Sequence, residues 1–77
     1  MNLDNLVHMA NQIGAFFSAY PDSQEALDGI ANHIQKFWEP RMRICLLDAL
    51  NAGQAEGLLP LVKDAMAKHQ SSLRPVI

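Results

Sequence analysis

Four apolar segments with a helical repeat, separated by proline or glycine, constrain the fold of this 77-residue chain more than any other feature. Apolar side chains three and four residues apart line one face of an α-helix, whereas a half-buried strand requires strict alternation. Proline has no backbone N–H and a fixed φ, so it ends a helix or occupies its first turn. The pattern therefore predicts an all-α, small four-helix bundle-like domain with short connections.

The first two segments run from about Leu3 to Ala19 and from about Ser23 to Trp38. Asn2 and Asp22 precede them and are typical N-cap residues. Pro21 ends the first segment, because the residue before a proline avoids the helical conformation. Apolar and polar residues of the first segment occupy opposite halves of the helical wheel, which predicts one buried and one exposed face. Phe16 and Tyr20 lie on the apolar half, and Phe37 lies on the apolar stripe of the second segment, so these three are predicted to face the core.

The third segment, Pro40 to Asn51, is apolar around most of its circumference. A helix with that coverage is either central or has two contact surfaces. Gly53 suits the position just beyond its C-terminus. The fourth segment begins near residues 58–59 and extends to about His69, in the sequence LLPLVKDAMAKH.

A chain of this length holds one domain at most. We assign residues 1–69 to a single helical domain and residues 70–77 to a C-terminal tail. Cys45 is the only cysteine, which excludes an intrachain disulfide and a zinc site with two thiolate ligands. Burial in so small a domain barely offsets the conformational entropy lost on folding, so a partner would stabilise it.

Charge and hydropathy exclude several classes of protein. The net charge of −2 argues against nucleic-acid binding, which usually requires a basic surface. The sequence has no apolar run near the ~20 residues of a membrane span, and no basic segment leads into an apolar one. A reduced cysteine is typical of the cytoplasm. We therefore expect a cytoplasmic protein that binds neither nucleic acid nor membrane.

Candidate catalytic and metal-binding residues are few and scattered. His8, His33, His69 and Cys45 lie on different segments and lack the spacing of a metal-binding motif. The glycine-rich phosphate loop, the nucleophile elbow and the zinc-protease motif are also missing from the sequence. We expect no catalytic residue, no metal site and no cofactor-binding residue in this chain.

The polar half of the first segment differs from an ordinary exposed helix face, which carries Lys and Glu. It carries amide and small side chains together with one imidazole, among them Asn5, His8, Asn11 and Gln12, and Asp4 is its only formal charge. Such groups are buried against a partner at a smaller desolvation cost than charged ones. These four residues are candidates for protein interaction, and the alternative is an ordinary polar surface of unusual composition.

The start of the third segment carries the other interaction candidates, Trp38, Arg41 and Arg43. Two cations in a first helical turn oppose the helix dipole, and Arg43 falls inside the apolar arc of the segment. A carboxylate should compensate for them, either that of Glu39 or one on another chain. Trp38 is either a core residue or an exposed anchor for a partner.

Two stretches of the sequence also carry a family resemblance. Residues 8–17, HMANQIGAFF, and residues 33–43, HIQKFWEPRMR, resemble the delta subunit of cytosolic NAD-dependent formate dehydrogenases. The similarity extends over about Leu3 to Val62, and the Phe-Trp-x-Pro-Arg-Met corner is its most specific part. The residues after Lys68 show no such resemblance.

The resemblance implies that the chain is a non-catalytic accessory subunit. In these enzymes the alpha subunit holds a molybdenum bis-pterin guanine dinucleotide cofactor (bis-MGD) and iron–sulfur clusters, and other subunits carry FMN, further clusters and the NAD site. The delta subunit is expected to hold no cofactor and to assist assembly, stability or cofactor maturation. Its implied partners are the catalytic alpha subunit and the other subunits of the complex.

The residues alone leave other hypotheses open. One is a self-associating helical protein, such as a regulatory module, in which the same surfaces pair as a homodimer. A nucleic-acid binder that uses Arg41 and Arg43 conflicts with the acidic pI of about 5.8. Recovery of the chain together with a large molybdenum protein would distinguish the accessory subunit from the self-associating protein.

Overall fold

The computed structural model describes residues 2–75, which form five α-helices and no strand. The helices are α1 (Leu3–Phe17), α2 (Ser23–Phe37), α3 (Pro40–Asn51), α4 (Pro60–Lys68) and α5 (Gln70–Leu73). This confirms the predicted all-α class and the short connections. All four predicted helices are present, and their ends lie within two residues of the predicted positions.

The fifth helix, α5, corrects the predicted number of helices. It lies in the segment assigned to a tail, and its Leu73 is fully buried. The helix contacts α2, α3 and α4, so this part of the predicted tail packs on the bundle, while Val76 and Ile77 lie outside the described residues. Four residues with one buried side chain leave no periodic pattern, which is why the sequence did not predict this helix.

Local sequence sets the helix ends. The side chains of Asn2 and Asp22 accept hydrogen bonds from backbone N–H groups in the following turn, as N-caps do. Pro40 and Pro60 occupy the start of α3 and α4, where a missing N–H breaks no intrahelical bond. Gly53, just beyond α3, has a φ of 73°, a left-handed conformation that other residues adopt only with strain.

The hydrophobic core lies where α2 packs against α1 and α4, with α3 and α5 closing its sides. No polar or charged side chain is buried within residues 2–75. The largest fully buried side chains are Ile30, Ile34, Leu46, Leu47, Val62, Met66 and Leu73. Within the same range, none of the helices has the length and hydropathy to span a membrane.

Two packing details define how the helices meet. α3 contacts both α1 and α5, which agrees with the alternative of a helix with two contact surfaces. Gly14 lets α1 approach α4, because a Cβ at that position would lie 2.5 Å from Cγ2 of Val62. The close approach brings the middle of α1 onto the core.

Candidate functional site

An open groove with a volume of about 650 Å³ lies between α1 and the junction of α2 with α3. Its lining contains no Asp, Glu, Lys or Arg. We call it the apolar groove, and its lining residues are Met9, Gln12, Ile13, Phe16, Phe17, His33, Phe37, Trp38 and Met42.

The rim of the apolar groove exposes aromatic side chains that a small domain would ordinarily bury. Phe16 is 67% exposed and Phe37 is 72% exposed. Tyr20, which is 41% exposed, extends this cluster, since its ring centroid lies 5.1 Å from that of Phe17. Contiguous exposed apolar surface marks an interaction site more often than isolated exposed residues do.

The local packing explains why the groove has this shape. The ring of Phe17 rests against Gly29 of α2, where a Cβ would overlap the ring. This contact holds the end of α1 on α2 and leaves Phe16, which lies about 100° away around the helix, pointing away from the core. On the opposite wall His33 stacks with Phe37 at a centroid distance of 4.7 Å.

The arginine corner, by which we mean Arg41 and Arg43, lies at the start of α3, and Met42 between them in sequence lines the groove. Neither arginine forms an ion pair with a carboxylate of residues 2–75, so Glu39 does not provide the compensation considered from the sequence. Arg43 is half-buried, and its Nε is buried without a hydrogen-bond acceptor in this part of the chain. A buried unpaired donor costs about 1–3 kcal/mol, so the corner is energetically incomplete in the isolated chain.

The other interaction candidates fall into three environments. Trp38 is 6% exposed and belongs to the core, with one edge lining the groove. Gln12 is exposed and also lines the groove, whereas Asn5 and His8 are exposed outside it. The role of these four residues in protein interaction stays a prediction.

Asn11 has an intramolecular role that sequence reasoning missed. Its Nδ2 donates to the carbonyl oxygen of Gly57 at 2.9 Å, and its Oδ1 accepts from the N–H of Leu59 at 2.9 Å. The two bonds attach the middle of α1 to the connection that precedes α4. A residue paired across 46 positions of sequence gives no local signal of its partner.

Sequence reasoning also placed Phe16, Tyr20 and Phe37 on apolar helix stripes that should face the core. The structure corrects this, because these side chains are exposed. The sequence of α1 does contain a signal that some of its apolar side chains stay exposed, because its apolar residues fill a full half of the helical wheel. Packing against the neighbouring helices covers only part of an arc that wide.

A second polar cluster joins the middle of α2 to the end of α4, and we call it the carboxylate clasp. Oδ1 of Asp28 lies 2.8 Å from Nε2 of His69 and 3.1 Å from Nζ of Lys68. Lys68 also donates to Gln24. Hydrogen bonds from His69 and then Lys68 hold the pKa of Asp28 below its ordinary value, because they favour the ionised carboxylate.

The described residues do not fit a metal ion or an iron–sulfur cluster. Within residues 2–75 no group of three or more His, Cys, Asp or Glu side chains is placed to bind a metal. Cys45 is half-buried on α3, and a cluster of this kind uses about four protein thiolates. His69, one of the histidines considered from the sequence, is engaged with Asp28 instead.

Comparison with known proteins identifies the family. Neither the curated proteins nor the solved structures yielded a match to this chain. A family model described as the NADH-dependent formate dehydrogenase delta subunit FdsD matches residues 5–66. The matched region contains the apolar groove, the arginine corner and most of α4, and it agrees with the resemblance seen in the sequence. The chain therefore belongs to the FdsD family of formate dehydrogenase delta subunits.

Proposed function

We propose that the chain is a non-catalytic accessory subunit of an NAD-dependent formate dehydrogenase and that it joins the complex through the apolar groove. The observation that carries this proposal is the exposure of Phe16 and Phe37 on the groove rim, at 67% and 72%. Aromatic residues are enriched in the buried centres of protein interfaces. Because the chain belongs to a delta-subunit family, we take the other subunits of a formate dehydrogenase complex as its binding partners.

The chemistry of the side chains supports a non-catalytic role. Oxidation of formate removes two electrons and a proton, and redox chemistry of this kind is carried by a cofactor that the protein binds and orients. The donor groups of residues 2–75 gather at no metal site, and the Asp28, His69 and Lys68 cluster holds two helices together. We place the molybdenum cofactor, the iron–sulfur clusters, FMN and the NAD site in the other subunits.

The contribution of the accessory subunit is then to assembly, stability or cofactor maturation in the cytoplasm. Covering apolar surface on a larger subunit contributes about 25 cal/mol per Å² of apolar area removed from water, from which the entropy lost on association is subtracted. A small domain whose own folding free energy is marginal gains from the same contact.

The test is expression of the complex with and without this chain. We expect the chain to co-purify in a fixed ratio, and its omission to lower the yield or the molybdenum and iron content of the complex. Turnover per molybdenum should stay unchanged in the complex that does assemble. Unchanged yield and metal content without the chain would contradict the accessory role, and lost turnover at full metal content would indicate a catalytic one.

The exposed aromatic cluster also favours a second candidate, a self-associating helical protein. In that case the purified chain would be a homodimer by light scattering at micromolar concentration, and it would not be recovered with the formate dehydrogenase subunits. Recovery with those subunits as one copy per complex would exclude this candidate.

A further inference from the structure

We propose that the apolar groove receives an amphipathic helix of another subunit, with a carboxylate on that helix compensating the arginine corner. The inference rests on the proposed function and names the chemistry of the partner. The occupant presents apolar side chains at positions i, i+3 or i+4, and i+7, and an Asp or Glu within one turn of the end that lies against α3.

The walls of the groove have the dimensions of a helix-binding site. On α1 the lining residues Met9, Ile13 and Phe16 follow one another at spacings of four and three, which at 1.5 Å per residue gives a wall roughly 10 Å long. His33 and Phe37 form the facing wall one turn apart on α2. Grooves of this kind hold the apolar face of a helix through i, i+4 and i+7 contacts.

The openness of the groove argues for a macromolecular occupant. Phe16 and Phe37 keep about two thirds or more of their surface exposed, so the walls cannot enclose a small molecule. Small-ligand sites bury about 70–90% of the ligand surface. A helix that lies across the rim would cover both rings without being enclosed.

Charge specifies the chemistry of the occupant. The groove lining contains no carboxylate, and Met42, which lines it, lies between Arg41 and Arg43 in sequence. Lys36 lines the adjoining cavity together with the carboxylates of Glu25 and Asp28, so that cavity itself is not positively charged. Residues 36–43 carry three cations and one anion, so the approach to the groove is positively charged at the α2–α3 corner.

The arginine corner lacks the compensation that a partner carboxylate would provide. Neither arginine forms an ion pair with an acid of residues 2–75, and Arg41 is exposed, so its guanidinium is accessible to a partner. The positions of both cations in the first turn of α3 add repulsion from the helix dipole. Arginine pairs strongly with carboxylates in interfaces because it can bind both oxygens at once.

The same charges disfavour a second copy of this chain as the occupant. Pairing across a two-fold axis brings identical surfaces together, so two positively charged corners would enter one interface. The groove of the second copy offers no carboxylate in its lining to receive them. Like charges placed opposite each other suppress such a pairing.

Photo-crosslinking within the purified complex tests the occupant. Benzoylphenylalanine replaces Phe16 or Phe37, and Leu59, which is 39% exposed and outside the groove, is the matched control position. We expect positions 16 and 37 to crosslink to one amphipathic helix with an Asp or Glu near one end, and position 59 not to crosslink to it. Crosslinks to a second copy, to a segment without a carboxylate, or to no protein overturn the inference.

Charge reversal tests the carboxylate. Arg41→Glu should weaken retention of the chain in the complex by about 30-fold or more, and changing the crosslinked carboxylate to Lys should restore it. Lys63→Glu makes the same charge change at a cavity near the end of α3, and retention should change less than about threefold for such a distant charge. The inference is overturned if Arg41→Glu and Lys63→Glu weaken retention in the complex equally. It is also overturned if changing the crosslinked carboxylate to Lys does not restore retention of Arg41→Glu.

Two controls keep the outcomes distinct. Melting of the isolated Arg41→Glu chain shows whether it folds, and Arg41→Gln, which removes the charge without reversing it, should weaken retention by about tenfold. A wild-type chain that is not recovered with the complex overturns the proposed function and this inference together. A chain that is recovered but does not crosslink from positions 16 and 37 overturns only the groove.

Discussion

The two sides of α2 differ in how completely their apolar side chains are buried and their polar side chains are hydrogen-bonded within the chain. Toward α4, Ile30 and Ile34 are fully buried, and Asp28 has the side chains of Lys68 and His69 within hydrogen-bond distance. Toward the end of α1 and the start of α3, Phe37 is 72% exposed and Arg43 has a buried Nε without an acceptor in the described residues. One side of α2 therefore has its contacts completed within the chain, whereas the other side, together with the start of α3, does not.

The difference indicates how a small subunit divides its apolar surface. Surface buried inside the chain contributes to its folding free energy, and surface left exposed contributes only when a partner covers it. Side chains on the completed side should therefore control unfolding of the isolated chain. Side chains on the groove side should control association and leave unfolding nearly unchanged.

The largest expected effect is on the completed side. Ile30→Ala should lower the free energy of unfolding by about 2–5 kcal/mol, because it leaves a cavity in a fully packed site. Urea unfolding followed by circular dichroism measures it. Gln35→Ala, an exposed change on the same helix, should stay within about 0.5 kcal/mol. If Phe37→Ser destabilises the isolated chain as much as Ile30→Ala does, the claim that side chains on the groove side leave unfolding nearly unchanged is contradicted.

The next effect concerns the hydrogen bonds that join α1 to the connection before α4. Asn11→Ala removes both bonds of this side chain, with the partner N–H and C=O left near the surface, and should cost about 1–3 kcal/mol. Asn5→Ala on the same helix is the matched control and should change stability by less than about 0.5 kcal/mol. Equal effects of the two substitutions in thermal unfolding would show that the Asn11 bonds contribute nothing.

A smaller effect of opposite sign is expected at the arginine corner. Arg43→Met should raise the free energy of unfolding of the isolated chain by up to about 1 kcal/mol, because it removes an unpaired buried donor and a cation at the positive end of the helix dipole. Arg41→Met, at an exposed position, should change it by only a few tenths of a kcal/mol. A clear loss of stability for Arg43→Met would mean that the chain itself satisfies this side chain.

The smallest effect is the pH dependence of the carboxylate clasp, whose members are largely exposed. Because the folded pKa of Asp28 lies below its ordinary value of 3.8, the ionised carboxylate stabilises the fold above that pH. The contribution is lost as the pH falls below 3.8 toward the folded pKa. The stability difference between wild type and Asp28→Asn should therefore shrink over that range.

Substitution of each residue that forms a hydrogen bond with Asp28 provides the control for that measurement. Hydrogen bonding from His69 lowers the pKa of Asp28 more than that from Lys68 does. His69→Gln should therefore reduce the pH dependence more than Lys68→Gln does. A wild-type chain and an Asp28→Asn chain whose stabilities differ by the same amount at every pH would contradict the role of this carboxylate.

Part of the candidate site was predictable from local rules. Arg41 and Arg43 conflict with the helix dipole in the sequence itself, and the structure shows no intrachain partner for them within residues 2–75. The apolar groove was not predictable, because its two walls come from helices whose relative position depends on Phe17 resting against Gly29. The role of Asn11 was equally hidden by the sequence distance to its partners.

By itself, the sequence determined the four longer helices and, to within two residues, their ends. Prolines, N-cap side chains and the spacing of apolar residues act over one or two turns, so their effects can be computed without knowing the fold. Family membership also followed from sequence, through the stretches around Phe16 and Trp38.

Only the tertiary structure decided which apolar residues are core and which are left for a partner. Periodicity identifies the apolar face of a helix but not how much of that face its neighbours cover. Trp38 and Phe37 are adjacent in sequence, yet one is 6% exposed and the other 72%. That outcome depends on the angles at which α1, α2 and α3 pack, and on the burial of Leu73 by a helix too short to leave a pattern.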